Sequence, residues 1–286
     1  MALKDYYTIT KPGIIYGNLF VAAGAFFLAS HWHADMVRFI AMLAGLGLVI
    51  ACGCVLNNDF DRDIDAVMER TRNRASVTGA LSHRTLLSYA ALLGLSGSAI
   101  LYFLVNEEAL LAALFGLFAY VVLYTILAKR GSAWGTIVGS ISGAMPPVVG
   151  YVAVTGSFDT VSFILFLMLV FWQMPHAYAI ALFRLNDYKA ADIPVLPATL
   201  GVLRTKIEML LFVLFFGVSS VHLTRVGAAG TAYAIVATLA SLAWLALSAY
   251  GFFAHDTAKW GRQMFLASLL ILMLLFALMA LDSARL

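Results

Sequence analysis

The sequence predicts an all-α polytopic membrane protein with nine transmembrane helices, and three observations support this fold class. First, 63% of its 286 residues are hydrophobic and only 12% are charged, which is more apolar surface than a soluble domain can bury. Second, apolar windows of about 20 residues, each long enough to span a bilayer, recur along the whole chain. Third, Lys and Arg are concentrated in alternate connections, as in membrane helices of fixed orientation.

The nine apolar windows set the expected boundaries and orientation of the helices. They cover residues 14–32, 36–58, 85–105, 109–128, 134–154, 160–183, 205–224, 229–251 and 263–281. With the amino terminus in the cytoplasm, that side holds all but three of the 18 Lys and Arg residues, the exceptions being Arg38, Arg225 and Arg285. This asymmetry predicts an external carboxyl terminus. No Pro/Gly/Ser-rich linker divides the chain, so we expect a single transmembrane domain over residues 1–286.

The densest cluster of charge comes at the end of the second span, where four aspartates lie close together in the sequence. Because a helix turns 100° per residue, Asn57, Asp61 and Asp65 are expected on one face; we call these three residues the aspartate stripe. Asp59 and Asp63 are expected on nearly the opposite side, where they would meet arginines or water. Carboxylates this close repel one another and are costly to desolvate. The pattern therefore predicts a cation, and Mg²⁺ is the hard cation that binds carboxylates together with substrate phosphates.

Arginines follow the aspartate stripe at alternate positions, at Arg70, Arg72 and Arg74. As a topological anchor they would hold a helix end in the cytoplasm and bind anionic lipid. That interpretation explains the arginines but leaves the aspartates unexplained. A diphosphate, bridged to the carboxylates by Mg²⁺ and bound by arginines, would use both groups. Lys129, at the end of the fourth span, is equally consistent with a snorkelling anchor.

A second polar segment lies at the end of the sixth span. Asp187 is the natural partner of the aspartate stripe across a cavity, whereas Asp192 is either a second partner or an ordinary loop residue. His176 lies within the span, just after Pro175. A lone membrane histidine usually forms a hydrogen bond to a neighbouring helix, and a ligand role is an equal alternative. We expect function where the two long cytoplasmic connections meet.

Several functional classes are excluded by what the sequence lacks. It contains no P-loop, Rossmann glycine motif, HExxH motif or Ser-His-Asp arrangement. Topology explains the arginines without nucleic-acid binding, so no nucleic-acid partner is expected. The two halves do not show the paired broken helices of transporters with inverted repeats. Cys52 and Cys54 lie within one apolar span and are interpreted as small packing residues.

These motifs resemble the UbiA superfamily of intramembrane prenyltransferases, and within it the branch that farnesylates haem. Residues 57–65 together with 68–71 are similar to the first Asp-rich motif of that superfamily. Residues 124–130, 144–150 and 176–197 are similar to further segments of the haem branch. The resemblance covers nearly the whole chain. It implies nine helices and two facing Asp-rich motifs that bind an isoprenoid diphosphate through Mg²⁺, with a second motif thinner than that of the quinone-type enzymes.

The resemblance also implies a reaction and a set of roles. Farnesyl diphosphate would give its farnesyl group to a vinyl group of haem B, and water would add to give haem O. The residues implied to hold Mg²⁺ and to act in catalysis are Asn57, Asp61, Asp65 and Asp187. Those implied to neutralise the leaving diphosphate are Lys11, Arg70, Arg72, Arg74, Lys129 and Lys189. His176 would position haem or ligate its iron, since neutral imidazole is a common haem ligand.

Two alternatives to haem farnesylation stay open at the level of the sequence. A prenyltransferase with an aromatic acceptor, such as a hydroxybenzoate, would be expected to carry a fuller second Asp motif. A transporter or haem-binding membrane subunit would be expected to carry paired histidines or polar residues near mid-membrane in several helices. For the haem branch, the resemblance implies residence in the lipid bilayer of a bacterial inner membrane. Its implied partners are haem A synthase or terminal oxidase assembly proteins.

Overall fold

The structure of the protein is a computed structural model that describes residues 3–131 and 134–283. In chain order its helices are α1 (Leu3–Ile9), α2 (Pro12–Ser30), α3 (Met36–Phe60), α4 (Arg62–Val67), α5 (His83–Leu104), α6 (Glu107–Phe118), a π-helical continuation of α6 (Ala119–Ala128), α7 (Gly135–Gly143), α8 (Met145–Thr155), α9 (Thr160–Phe183), α10 (Leu185–Ala190), α11 (Leu196–Thr199), α12 (Gly201–Arg225), α13 (Thr231–Tyr250) and α14 (Thr257–Ser283). Within the described ranges there are nine helices long and apolar enough to cross a membrane. The all-α fold with nine spans is therefore confirmed, and the chain is an integral membrane protein.

The observed helices extend beyond several of the expected spans. α14 begins at Thr257, six residues before the expected start, because the Asp256 side chain accepts a hydrogen bond from the Lys259 backbone N–H at 2.9 Å. Such a contact satisfies one of the free donors at a helix start. α12 likewise begins at Gly201 rather than at residue 205. Hydropathy marks the apolar part of a helix, whereas the hydrogen bonds decide where it ends. Arg285 lies outside the described residues.

The fifth span is broken into α7 and α8 at Ala144. Pro146 and Pro147 follow the break in the first turn of α8, where their missing backbone N–H groups would have no helical partner anyway. The break therefore follows from the local sequence, since prolines are a common cause of sharp helix kinks. Gly150 then lets α8 lie directly on α2, since a Cβ atom there would be 2.0 Å from the backbone oxygen of Ala22.

The π-helical continuation of α6 is a feature that the sequence did not predict. Its wider turn is closed by the Thr125 hydroxyl, which donates to the backbone oxygen of Tyr120 at 2.8 Å, five residues earlier. The rings of Tyr120 and Tyr124 stack with centroids 6.0 Å apart. π-Helical turns are rare and occur frequently at functional sites. This one carries Thr125 and the two tyrosines to the end of α3.

An apolar cavity of about 810 Å³, here called the large cavity, lies between the spans. Its walls come from α2, α3, α6 and its continuation, α7, α8, α9 and α14. The main apolar core surrounds this space and joins α2, α8 and α9 to the three carboxyl-terminal spans. The large cavity is within the size range of sites that bury a drug-sized ligand.

Candidate active site

The aspartate stripe lies at the junction of α3 and α4. The single helix expected here is interrupted at Asp61, which has φ −92° and ψ 13°. The four-residue spacing is nevertheless kept, because the helical backbone hydrogen bonds continue through the interruption. The backbone N–H of Asp61 donates to the backbone oxygen of Asn57 at 3.0 Å, and that of Asp65 donates to the backbone oxygen of Asp61 at 2.8 Å. All three side chains are buried, with at most 4% of each residue exposed. Buried acidic groups of this kind require positive or hydrogen-bonding partners.

Asn57 joins three separate elements of the fold. Its Nδ2 group donates to Asp61 Oδ2 at 2.7 Å and to the Thr125 hydroxyl at 3.1 Å. Its Oδ1 atom accepts a hydrogen bond from the Lys11 ammonium group. The side chain therefore ties the start of α2 and the π-helical segment to the end of α3, and each of its polar atoms has a partner.

Lys11 reaches Asn57 from an unusual backbone conformation. It precedes α2 with φ 54° and ψ 63°, in the left-handed region, which costs a residue with a side chain about 1 kcal/mol. Burial lowers the pKa of its ammonium group to about 8, and nearby cationic Arg74 and Lys129 also lower it. Strain and desolvation at one lysine are typical of a functional position.

Two further cations approach the carboxylates of the aspartate stripe. The Lys129 ammonium group donates to Asp61 Oδ2. Arg74 donates to Asp65 Oδ2 at 2.6 Å and to Asn58 Oδ1 at 2.8 Å. Among the described residues, the buried Oδ1 atom of Asp61 accepts no hydrogen bond, and the Arg130 guanidinium stays 4.0 Å away. One buried carboxylate oxygen is therefore left for an additional cation.

The other two aspartates pair with basic groups away from the aspartate stripe. Asp59 lies 2.7 Å from Arg62 and 2.7 Å from His83 Nδ1. Asp63 accepts two hydrogen bonds from Arg130, each of 2.6 Å, and these bonds lower the pKa of its carboxyl group. The sequence predicted arginine partners for this pair, and it missed His83.

The second polar segment approaches the first through apolar contacts. Ile64 and Met68 form a small core with Ile193, and Tyr188 packs against it. The two long connections therefore meet, as the sequence predicted. Asp187, however, is half-buried and lies 3.5 Å from Arg184. In residues 3–131 and 134–283, no three His, Cys, Asp or Glu side chains are close enough to hold a metal ion, so the four-residue Mg²⁺ site stays a prediction.

The basic residues implied to bind a diphosphate fall into two groups. Those in contact with the aspartate stripe are Lys11, Arg74 and Lys129. Those exposed on the two long connections are Arg70, Arg72 and Lys189. Asp192 is also exposed and has φ 49°. The structure thus brings together half of the expected cations and leaves the others at the surface.

The aspartate stripe lies at one end of the large cavity. Gly53 and Cys54 line the cavity one turn before Asn57. A small cavity of about 250 Å³ adjoins it and is lined by Lys129 and Tyr188, among others. The two cavities share lining residues, including Tyr120. A ligand with a charged head and an apolar tail could therefore contact the cations while its tail lies in the large cavity.

His176 lies in the wall of the large cavity, on α9. Its ring stacks on Trp172 with centroids 4.6 Å apart and lies 4.9 Å from the ring of Phe265. Its Nδ1 atom is 2.7 Å from the hydroxyl oxygen of Ser268 on α14. This is the hydrogen bond to a neighbouring helix that membrane histidines commonly form. Its ligand role stays a prediction.

Sequence reasoning missed several residues that complete this site, namely Asn58, His83, Thr125 and Ser268. Asn58 was visible as part of the polar run, but its bond to Arg74 was not. The others lie 24, 68 and 92 residues from their partners. Only helix packing brings such residues together, so no local signal in the chain marked them.

Comparison with known proteins matches residues 18–270 to UbiA, described as the UbiA prenyltransferase family. The chain belongs to the UbiA prenyltransferase family. This UbiA family member is 48% identical over 282 residues to Protoheme IX farnesyltransferase 2 of Pseudomonas fluorescens, covering 99% of this chain and 96% of the relative. It is 46% identical over 282 residues to Protoheme IX farnesyltransferase of Yersinia pestis, covering 99% of this chain and 95% of that one.

Two solved structures share the fold of this UbiA family member. The structure of a digeranylgeranylglyceryl phosphate synthase aligns with a TM-score of 0.83 and 18% identity, covering 99% of both chains. A UbiA homolog from Archaeoglobus fulgidus bound to GPP and Mg²⁺ aligns with a TM-score of 0.70 and 14% identity, covering 99% of this chain and 100% of that one. At these identities the likeness establishes the fold alone.

Proposed function

We propose that this UbiA family member is a haem farnesyltransferase. It transfers the farnesyl group of farnesyl diphosphate to a vinyl group of haem B (protohaem IX), with addition of water, and releases haem O and diphosphate. The observation that carries this proposal is the junction of a buried, cation-lined carboxylate cluster with a large apolar cavity whose wall contains a histidine. The name of the relatives that are 46–48% identical, protoheme IX farnesyltransferase, supports the choice of substrates.

The diphosphate would bind at the aspartate stripe. Lys11, Lys129 and Arg74 bring three positive charges to this place from three parts of the chain. Each contacts a residue of the stripe directly. Because these cations are already desolvated and oriented, they can stabilise the negative charge that develops on the leaving diphosphate. Cleavage of the allylic C–O bond is favoured by this charge stabilisation.

The same residues fit a divalent cation. Asn57, Asp61 and Asp65 offer the carboxylate and amide oxygens that Mg²⁺ prefers, and Asp61 Oδ1 is buried without a hydrogen bond among the described residues. Asp187 pairs with Arg184 in the structure, so it would become a fourth ligand only as the two long connections close over the substrate. When bound, Mg²⁺ supplies Lewis-acid neutralisation of the diphosphate oxygens. Displacement of Lys129 from Asp61 would leave its ammonium group free to bind the diphosphate.

The exposed cations would act at an earlier stage of binding. Arg70, Arg72 and Lys189 lie on the two long connections that already touch through Ile64 and Ile193. They would attract the anionic substrate and neutralise it further as the connections close over it. Closure would also keep water from the reactive allylic cation until transfer has occurred.

The farnesyl chain and haem would share the large cavity. Its walls are almost entirely apolar, so an isoprenoid chain can fill it while leaving few polar groups of the wall without hydrogen bonds. Tyr120 lines both cavities, and its ring would stabilise the allylic cation next to the diphosphate. His176 would hold haem from the α9 side, either by iron ligation or by orienting the ring.

The proposed orientation follows from charge. All but three of the Lys and Arg residues fall on the side of the aspartate stripe, which we assign to the cytoplasm of a bacterial cell with the protein in its inner membrane. The amino terminus would then be cytoplasmic and the carboxyl terminus external. Haem O would pass to proteins that modify haem further or insert it, such as haem A synthase or terminal oxidase assembly factors.

One assay tests the proposed function. Membranes containing the protein are incubated with haem B, farnesyl diphosphate and Mg²⁺, and the porphyrins are analysed by mass spectrometry. We expect a porphyrin that has gained a farnesyl group plus water, and no such product with Asp61→Ala. Membranes with a hydroxybenzoate as acceptor test the aromatic alternative. Absence of product with the wild-type protein, or undiminished product with Asp61→Ala, would contradict the proposal.

A further inference from the structure

Ser268 is a fully buried serine of α14 whose hydroxyl makes two hydrogen bonds. Its Oγ atom lies 2.6 Å from the backbone oxygen of Phe265, an acceptor that has no hydrogen to give. The same Oγ lies 2.7 Å from Nδ1 of His176. Ser268 therefore bridges its own helix and a side chain of α9 that lines the large cavity.

This pair of contacts fixes the position of the imidazole proton. A serine hydroxyl has one hydrogen, and the carbonyl of Phe265 takes it. Towards His176 the hydroxyl oxygen can then only accept, so Nδ1 must carry a proton. A neutral imidazole protonated at Nδ1 has its lone pair at Nε2. Among the described residues, no side chain or backbone group forms a hydrogen bond with Nε2.

Aromatic rings hold the imidazole in this orientation. The Trp172 ring stacks on the imidazole ring with an interplanar angle of 22°. The centroid of the Phe265 ring lies 4.9 Å from the centroid of the imidazole ring. The indole N–H of Trp172 donates to the backbone oxygen of Ser268 at 2.8 Å. Two side chains of α9 are thus tied to one residue of α14, which leaves His176 little freedom to turn.

We propose that Ser268 is a positioning residue that holds His176 with its Nε2 lone pair available to the iron of haem. The inference rests on the proposed function, because it takes haem as the occupant of the large cavity. A metal-bound histidine commonly donates its other ring N–H to a neighbouring acceptor, which fixes the tautomer and the direction of the ligating atom. Ser268 supplies that acceptor before any haem is bound.

Ser220 offers a matched control for this inference. It is also fully buried, and its hydroxyl donates to the backbone oxygen of Phe216 at 2.7 Å. It lies on α12, does not line the large cavity and accepts no hydrogen bond from a histidine. Ser220→Ala therefore removes the same atom from a comparable site. Ser268→Thr keeps the hydroxyl and serves as the conservative variant.

The test is a titration of the purified full-length protein with ferric protohaem IX, followed by absorption and electron paramagnetic resonance spectra. We expect an imidazole-ligated spectrum with wild type, and its loss with His176→Ala. Ser268→Ala should weaken haem binding at least about 10-fold, the scale seen when the partner of a metal-bound histidine is removed. Ser268→Thr should retain much of the affinity, and Ser220→Ala should match the wild type.

A parallel measurement of the KM for farnesyl diphosphate separates positioning from general damage. This KM should be unchanged in Ser268→Ala, because neither hydrogen bond of the Ser268 hydroxyl involves the aspartate stripe. If His176→Ala loses the imidazole spectrum but Ser268→Ala binds haem like wild type, the inference fails and the proposed function stands. Equal losses with Ser268→Ala and Ser220→Ala, or an unchanged spectrum with His176→Ala, would also overturn it. Product formation by the wild type tests the proposed function independently.

Discussion

Two parts of the lining of the large cavity are built in contrasting ways: the aspartate end, beside the aspartate stripe, and the wall around His176 on α9 and α14, here called the histidine end. At the aspartate end, the buried side chains of the aspartate stripe contact cations that come from the start of α2, the end of the π-helical segment and the loop after α4. Some of these groups have two partners: Arg74 donates to Asp65 and to Asn58, and Asp61 Oδ2 accepts from Asn57 and from Lys129. At the histidine end, aromatic rings surround one polar ring, and a single side-chain hydrogen bond, from His176 to Ser268, orients it.

This contrast separates two physical tasks. A dense set of ion pairs and charged hydrogen bonds can exchange partners when a diphosphate and a cation bind, because several of its groups already have a second hydrogen-bond partner. An apolar site with one oriented polar atom instead binds a flat, largely apolar molecule in one direction. Changes at the aspartate end should therefore impair ionisation of farnesyl diphosphate and leave haem affinity intact. Changes at the histidine end should do the reverse.

Removal of divalent cations should give the largest separation of the two ends. With excess EDTA, farnesyl transfer should fall to background, because the leaving diphosphate loses its main neutralising charge. The Kd for protohaem IX, measured by absorption titration, should stay within about twofold of its value with Mg²⁺, since haem is proposed to bind through His176 and not through the aspartate stripe. Added Mg²⁺ should restore the turnover. Transfer that persists after chelation would show that the cations of the protein suffice.

Neutralising one carboxylate of the aspartate stripe should have the next largest effect. Asp61→Asn or Asp65→Asn keeps the side-chain shape but removes a negative charge, and turnover should fall by at least about 100-fold, the scale seen when a preorganised transition-state contact is lost. Asp59→Asn is the matched control, because Asp59 pairs with Arg62 and His83 away from the stripe. Turnover by Asp59→Asn should fall by less than about 10-fold. Equal losses at all three positions would show that the two faces do not differ in function.

Two adjacent cations allow a finer comparison at the same end. Lys129 donates to Asp61 of the aspartate stripe, whereas Arg130 pairs with Asp63 on the outer side. Lys129→Met should lower kcat/KM for farnesyl diphosphate by about 10-fold to 100-fold, because a charge near the diphosphate is lost. Arg130→Met should lower the same kcat/KM by only a few-fold, since exposed ion pairs are weak. The ratio of the two effects is measured by steady-state kinetics on membranes, and a ratio near one would contradict the assignment of Lys129.

The sequence predicted most of the aspartate end and little of the histidine end, for a physical reason. The spacing of Asn57, Asp61 and Asp65 is local, and it survives the break in the helix because the backbone hydrogen bonds continue through Asp61. The nine spans are likewise local, since each depends only on its own apolar length. The contact of His176 with Ser268 depends on how α9 packs against α14. No pattern within either helix encodes it.

The π-helical segment at the aspartate end likewise involves a contact between helices. Residues Ala119–Ala128 have an ordinary apolar composition, and nothing in it distinguishes a π-helix from an α-helix. Within the wider turn, Thr125 bonds both to Tyr120 of its own helix and to Asn57 of α3. A tertiary contact thus helps to stabilise a local structure that intrinsic propensity disfavours.

That contact leads to the smallest effect that we expect to be measurable. Thr125→Val keeps the shape of the side chain but removes two hydrogen bonds, the one accepted from Asn57 Nδ2 and the one donated to the Tyr120 oxygen. Asn57 keeps its bonds to Asp61 and Lys11. Loss of the bond to Asn57, of about 1 kcal/mol, corresponds to roughly a fivefold decrease in kcat/KM for farnesyl diphosphate.

Thr136→Val is the control for this small change, because Thr136 lines the small cavity without contacting Asn57. It should remain close to wild type, and neither variant should alter the Kd for haem. If Thr125→Val weakened haem binding as well, the two ends would be coupled through the π-helical segment, whose residue Tyr120 lines both cavities. An effect confined to farnesyl diphosphate would instead show that Asn57 is oriented locally, and that the cavity keeps its two tasks separate.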